Sequence, residues 1–160
     1  MQTTEFVASV FFSIGLLFVF IFLAVLFLLT QYNTLKAIKP ENRLMPPGQV
    51  WIQLIPILGQ IWQFFVVTRI ADSIRKEITS WQEDSILGFS DAAAVEAVDQ
   101  RPTFRIGITY CILFTTGILL TLAAIIPLIQ GWFSLSGMIC WIIYWVRLAK
   151  WKRKLIRQHI

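Results

Sequence analysis

Histidine is almost missing from this chain, with one copy at His159, and cysteine is rare, with two copies at Cys111 and Cys140. Ser–His and Cys–His pairs, the usual means of activating a nucleophile, therefore have no material to draw on. Two Cys and one His give no metal-ligating constellation either. Both cysteines sit in apolar runs, where thiols behave as small hydrophobes, so they say nothing of redox compartment. Charge is scarce too. Only 14% of the residues are Asp, Glu, Lys or Arg, against about a quarter in soluble domains. No carboxylate falls within a long apolar run, which removes the usual equipment of a proton- or ion-coupled transporter. These absences point away from an enzyme, and no cofactor or metal is expected.

What is present is apolar length. The chain is 57% hydrophobic, with a mean hydropathy of +0.70. Runs over residues 6–29, 106–129 and 132–149 approach or exceed the roughly 20 residues that carry a helix across about 30 Å of hydrocarbon. Arg147 is the one charge inside them. Met1 to Glu5 hold no Lys or Arg, and no A-x-A pattern follows the first run, so it reads as a retained span rather than a signal peptide. Its Ser9, Ser13 and Gly15 offer a small-residue packing face, with lipid exposure as the alternative. The expected fold class is an all-α integral membrane protein, a single membrane domain over residues 1–160. It has three transmembrane helices, a broken or re-entrant apolar segment (or a fourth, kinked span) and an amphipathic cytoplasmic helix.

The ambiguous segment is residues 50–67, introduced by Pro46-Pro47-Gly48. It is nearly apolar enough to span, yet it contains Pro56, Gly59 and three glutamines. Pro56 removes a backbone donor and, with Gly59, marks a helix break. On a helical wheel Gln49, Gln53 and Gln60 fall within about 40° of one another, with Gln63 about 60° further round. A kinked span and a re-entrant hairpin both fit. Charge placement favours the hairpin, because cytoplasmic loops retain Lys and Arg. The linker after the first run holds Lys36, Lys39 and Arg43; residues 68–105 hold five cations, and six follow from Arg147 onward. A hairpin puts all fourteen on one side, with the N-terminus outside and the C-terminus cytoplasmic, whereas a fourth span exports three. Irregular backbone in lipid must be covered by protein or water. A bundle this small is expected to need self-association, or a partner, to cover it.

Residues 68–82 repeat Ile70, Ile74, Ile78 and Trp81 on one face of a helix, with Arg69, Asp72, Arg75, Lys76 and Glu77 placed elsewhere and Asp72 and Lys76 at ion-pair spacing. Such a helix suits the membrane surface, a copy of itself, its own bundle, or the continuation of the hairpin's second arm. Residues 83–103 form an acidic loop in which Ser90 can cap a short helix over 91–98. They lack the spacing of a calcium loop. Pro102 marks a helix start. In the third run Thr109, Thr115, Thr116 and Thr121 suit packing, with pore lining as the sharper alternative. Gly131 is expected to be a tight turn. Trp141, Tyr144 and Trp145 suit an interfacial belt, and Arg147 snorkels toward headgroups. Residues 150–160 are a basic tail in which Lys150, Lys152, Arg153, Lys154 and Arg157 can meet anionic lipid or a cytosolic partner; nucleic acid is not expected.

Pro46-Pro47-Gly48, Trp51, Ile55-Pro56, Trp62-Gln63-Phe64 and Arg69 to Ser73 together resemble a pattern in small uncharacterised bacterial multi-pass membrane proteins. The likeness covers about a quarter of the chain, and it implies a bacterial inner-membrane location and no reaction. Two functions follow as expectations. The first is a homo-oligomeric channel with residues 50–67 near the axis. There Gln53, Gln60, Gln63, Thr115 and Thr116 would replace part of an ion's hydration shell. The alternative is a non-transporting scaffold or accessory subunit that meets its partner or lipid through residues 68–82 and 150–160.

Overall fold

The computed structural model describes residues 2–84, 101–122 and 127–158, with side chains described over 5–81, 101–122 and 131–157. Four α-helices follow in order: α1 (Gln2–Lys36), α2 (Leu58–Asp84), α3 (Phe104–Leu122) and α4 (Pro127–Gln158). Two 3₁₀ segments, Pro40–Asn42 and Pro47–Leu54, lie between α1 and α2, and no strand occurs among the described residues. α1, α3 and α4 are long and apolar enough to cross a membrane. The all-helical, multi-pass expectation stands on them.

α1 runs seven residues past its expected end, for a length of about 50 Å. Its last turns persist because Gln31, Thr34 and Leu35 are buried by neighbouring elements. The hydroxyls of Thr30 and Thr34 are satisfied within the helix, bonding the carbonyls of Leu26 and Thr30. The exposed carbonyls at its end find a cap. Arg43 folds back and donates to the carbonyls of Ile38 at 2.7 Å and Lys36 at 3.2 Å, as helix ends require. The outer half of α1, residues 5–23, is exposed on every side. Ser9 and Ser13 bond their own helix, and Gly15 has nothing within 4 Å, so the small-residue face is unused within the protomer.

The chain between α1 and α2 doubles back on itself. After Pro46 and Pro47 fix the entry, the eight-residue 3₁₀ segment runs to Leu54, unusually long for this helix type. The chain then reverses over residues 55–57, where Ile57 takes φ 67° and the Leu58 N–H reaches the Pro56 carbonyl at 2.7 Å. The Gly59 N–H bonds the Ile55 carbonyl at 2.7 Å and the Gln60 N–H bonds that of Ile57 at 3.1 Å. Trp62 ties the two arms together by donating its indole N–H to the Gln49 carbonyl at 2.9 Å. The tip, Leu54 to Leu58 with Ile61, is exposed and wholly apolar. The amides of Leu58, Gly59 and Gln60 thus bond carbonyls within the turn itself.

Of the placements open to the amphipathic stretch, the structure shows the continuation: residues 58–67 and 68–82 are one helix. Ile70, Ile74 and Ile78 are buried, as the periodicity requires. The linker 38–45 lies along the same side. Ser73 accepts the Leu44 N–H at 2.9 Å, Glu77 accepts from the Asn42 amide at 2.8 Å and the Lys39 N–H at 3.2 Å, and Lys76 donates to the Glu41 carbonyl at 2.7 Å. Two expectations change here. Asp72 pairs with Arg101 at 2.9 Å rather than with Lys76. Glu77 is fully buried rather than solvated; at about 100° per residue it falls only some 40° from Trp81, within the apolar stripe.

α3 and α4 pack antiparallel through small residues. A Cβ at Gly107 would strike Val67 and Tyr144, one at Gly117 would sit 3.3 Å from the Ser134 hydroxyl, and one at Gly137 would sit 3.3 Å from Leu113. α4 starts at Pro127, so Gly131 lies inside a helix and is no turn. Proline suits the first helical position because its missing N–H would have no partner there. Residues 123–126 lie outside the described residues, as do the acidic stretch 85–100 with its expected 91–98 helix, and His159. The basic tail continues α4 to Gln158, with Leu155 buried. The core therefore sits at the charged end, where Leu35, Ile38, Val66, Val67, Ile70, Ile74, Leu148 and Leu155 are closed off.

Candidate functional site

A cleft of about 160 Å³ opens between α1 and the α3–α4 pair, above the tip of the doubled-back segment. One wall is Phe20, Ala24, Phe27 and Leu28 of α1. The opposite wall is Tyr110, Phe114, Met138 and Trp141. The floor comes from the folded-back segment, with Gln53, Gly59, Gln60 and Gln63. Phe27 stands at the centre of an aromatic cluster, 5.2 Å from Trp141, 5.9 Å from Tyr144 and 6.3 Å from Tyr110 between ring centres. Trp145 fixes the α1–α4 register by donating to the Thr30 hydroxyl at 2.9 Å.

The wheel that grouped the glutamines assumed one helix, and that assumption fails, since Gln53 lies on the 3₁₀ arm and Gln60 and Gln63 lie on α2. They converge nonetheless, because the arms are pressed together where Gly59 faces the Gln53 carbonyl. Gln53 donates to the Gln31 side-chain oxygen at 2.6 Å and to the Val50 carbonyl at 3.1 Å. Gln63 donates to the Gln60 oxygen at 3.0 Å and reaches the Thr115 hydroxyl at 3.5 Å, the limit of a hydrogen bond. Thr116 is half-buried and lines no part of the cleft. Thr109 and Thr121 bond the carbonyls of Arg105 and Gly117 on their own helix. Pro56 and Gly59 make the break and the close approach.

Gln31 and Tyr110 were not singled out, and Tyr144 was placed only in the interfacial belt. Gln31 closes the first apolar run, and its place one turn beyond the buried Phe27 is the signal that marks it as inward-facing. Tyr144 reads as a belt residue from sequence, yet both tyrosines are buried with their rings 5.2 Å apart. The Gln31 amide nitrogen and the hydroxyls of Tyr110 and Tyr144 are buried with no hydrogen bond of good geometry, although Gln31 stands beside Tyr144 and Cys111 beside Tyr110. Of the three only Tyr110 lines the cleft, which presents it with the amides of Gln53, Gln60 and Gln63 within an apolar wall and no charge. The tail cations lie elsewhere, on the last turns of α4. Lys150, Arg153, Lys154 and Arg157 are exposed, Lys152 is half-buried, and the Lys154 ammonium lies 4.8 Å from the Trp151 ring centre.

Comparison with protein-family models, with curated proteins and with solved structures finds no match.

Proposed function

We propose that this is a non-transporting membrane protein, an accessory or scaffold subunit, whose cleft holds an uncharged amphiphile from the bilayer. The occupant is a chain bearing a hydroxyl or carbonyl. In this reading α1, α3 and α4 span, and residues 47–67 form a re-entrant hairpin that enters and leaves at the charged end. That end faces the cytoplasm, as the placement of Lys and Arg favours, and the N-terminus lies outside. The observation that carries the reading is that the glutamine amides close on partners within one protomer: Gln53 on Gln31, and Gln63 on Gln60 and Thr115. A homo-oligomeric pore needs these amides on an outward face, turned toward an axis between copies. Here they floor a cleft whose walls are apolar, the usual makeup of a small-ligand site. Residues 68–82 have their inner face occupied by the linker, so a partner or anionic lipid is met by the exposed tail.

A long-chain alcohol carrying a diazirine tests the proposal in reconstituted protein. Photolabelling is expected to concentrate on Phe20, Ala24, Met138 and Trp141, and to fall to background in Ala24→Trp, which fills the cleft. Labelling spread evenly along the exposed outer half of α1, unchanged by Ala24→Trp, overturns it.

A further inference from the structure

Away from the cleft, three arginines gather at the charged end of the α3–α4 pair. Arg101 and Arg105 flank the start of α3, and Arg147 stands opposite on α4 with Trp151 one turn on. With Thr103 they line a groove of about 270 Å³. Arg101 is balanced by Asp72 at 2.9 Å, and its guanidinium lies 5.1 Å from the Phe104 ring centre. Arg105 and Arg147 are exposed and make no ion pair among the described residues. Lys150 and Lys154 continue the same sign along an adjoining hollow. Like charges gathered in this way raise one another's energy and favour a bound anion.

Thr103 supplies the independent sign. It precedes the first residue of α3 and takes φ 65°, and its carbonyl accepts the Gly107 N–H at 2.9 Å, so it occupies the cap position of that helix. A threonine there ordinarily satisfies its hydroxyl on the helix's own amides. Instead it is 8% exposed and its hydroxyl is buried without a partner. Thr103 lines the groove, and rotation of its side chain would bring the closed-off hydroxyl to an acceptor seated there. The positive end of the α3 dipole points the same way.

We propose that this groove is a phosphate site, held by Arg105, Arg147 and the Thr103 hydroxyl at the start of α3. Guanidinium groups match phosphate oxygens two at a time, which lysines do not. Arg101, already committed to Asp72, anchors the loop before α3 and shapes the groove. The phosphate comes from an anionic lipid headgroup or from a free phosphate compound. The site rests on residues that the cleft does not use, so its failure leaves the cleft reading untouched.

Detergent-solubilised full-length protein, titrated with short-chain phosphatidic acid while Trp151-dependent fluorescence is followed, is expected to saturate at one lipid per chain. Arg105→Gln combined with Arg147→Gln should weaken binding about tenfold or more, since both guanidinium groups hold the headgroup. Thr103→Val, which leaves charge unchanged, should weaken it about threefold. Neutralising Lys152, Arg153 and Arg157 together should cost less than the arginine pair. Competition by inorganic phosphate identifies a free phosphate source, and binding that inorganic phosphate cannot displace identifies the lipid; either supports the site. Equal losses in the tail and groove variants, or no binding of either phosphate form, overturn it.

Discussion

A methyl group added at Gly59 would run into the carbonyl oxygen of Gln53, a backbone atom that no rotamer change can move aside. Gly48, eleven residues earlier on the same folded-back segment, has nothing within 4 Å of the same position. The two glycines look alike in the sequence and differ only in what faces them. Gly59→Ala is therefore expected to destabilise the protein by about 1–3 kcal/mol through overpacking, while Gly48→Ala should stay within about 0.5 kcal/mol of the parent. Thermal melting in detergent, followed by near-ultraviolet dichroism, measures both. Equal effects at the two sites would show that the arms do not touch as described. Glu77 teaches the same lesson about single residues. A carboxylate in a charged helix reads as solvated, and only the linker folded over it turns it into a buried acceptor for Asn42 and the Lys39 amide.

At the scale of elements, the helix with the most ordinary sequence does the most joining. α2 meets the 3₁₀ arm at its start, the linker along its second half, and α3 at Gly107, where a Cβ would strike Val67 and the Tyr144 ring. Gly107→Ala should destabilise by about 1–3 kcal/mol, and Val67→Ala should open the space that relieves it. The double variant is expected to be more stable than the sum of the single changes by at least about 0.5 kcal/mol. Strict additivity would mean that the three helices do not share this contact. The three long apolar helices were legible because hydropathy over some 20 residues outweighs local detail. The α3–α4 turn was misplaced because Gly131 looked like a break, although Pro127 is the residue that starts a helix. The division of α2 into two parts came from its change of polarity, which alters what a helix faces without ending it. The glutamine cluster was half legible: Gln53, Gln60 and Gln63 stood out as polar residues in an apolar run. Their partner Gln31 lies 22 residues before Gln53, and the cleft residue Tyr110 comes from α3, where no pattern in the chain links them.

For the molecule as a whole, the buried core and the cations lie at the same end. Leu35, Ile38, Ile74 and Leu155 are closed off there, while residues 5–23 of α1 stand bare. Bare apolar helix of this length suits hydrocarbon, which is compatible with a bilayer around the outer half. In the proposed topology the linker lies on the same side as the second half of α2. A fourth span over residues 50–67 would place Lys39 and Arg43 on the side opposite Lys76. The bonds of Leu44 to Ser73, Asn42 to Glu77 and Lys76 to the Glu41 carbonyl support the proposed hairpin over that alternative. Single cysteines placed at Lys39 and at Arg153 are therefore expected to react with a membrane-impermeant maleimide from the same side of sealed vesicles. One placed at Thr4 should react only from the other side. The native Cys111 is buried and Cys140 half-buried among apolar residues, so the parent chain gives a low background. Labelling of Lys39→Cys from the side opposite Arg153→Cys would replace the hairpin with a fourth span and open the bonds between linker and α2.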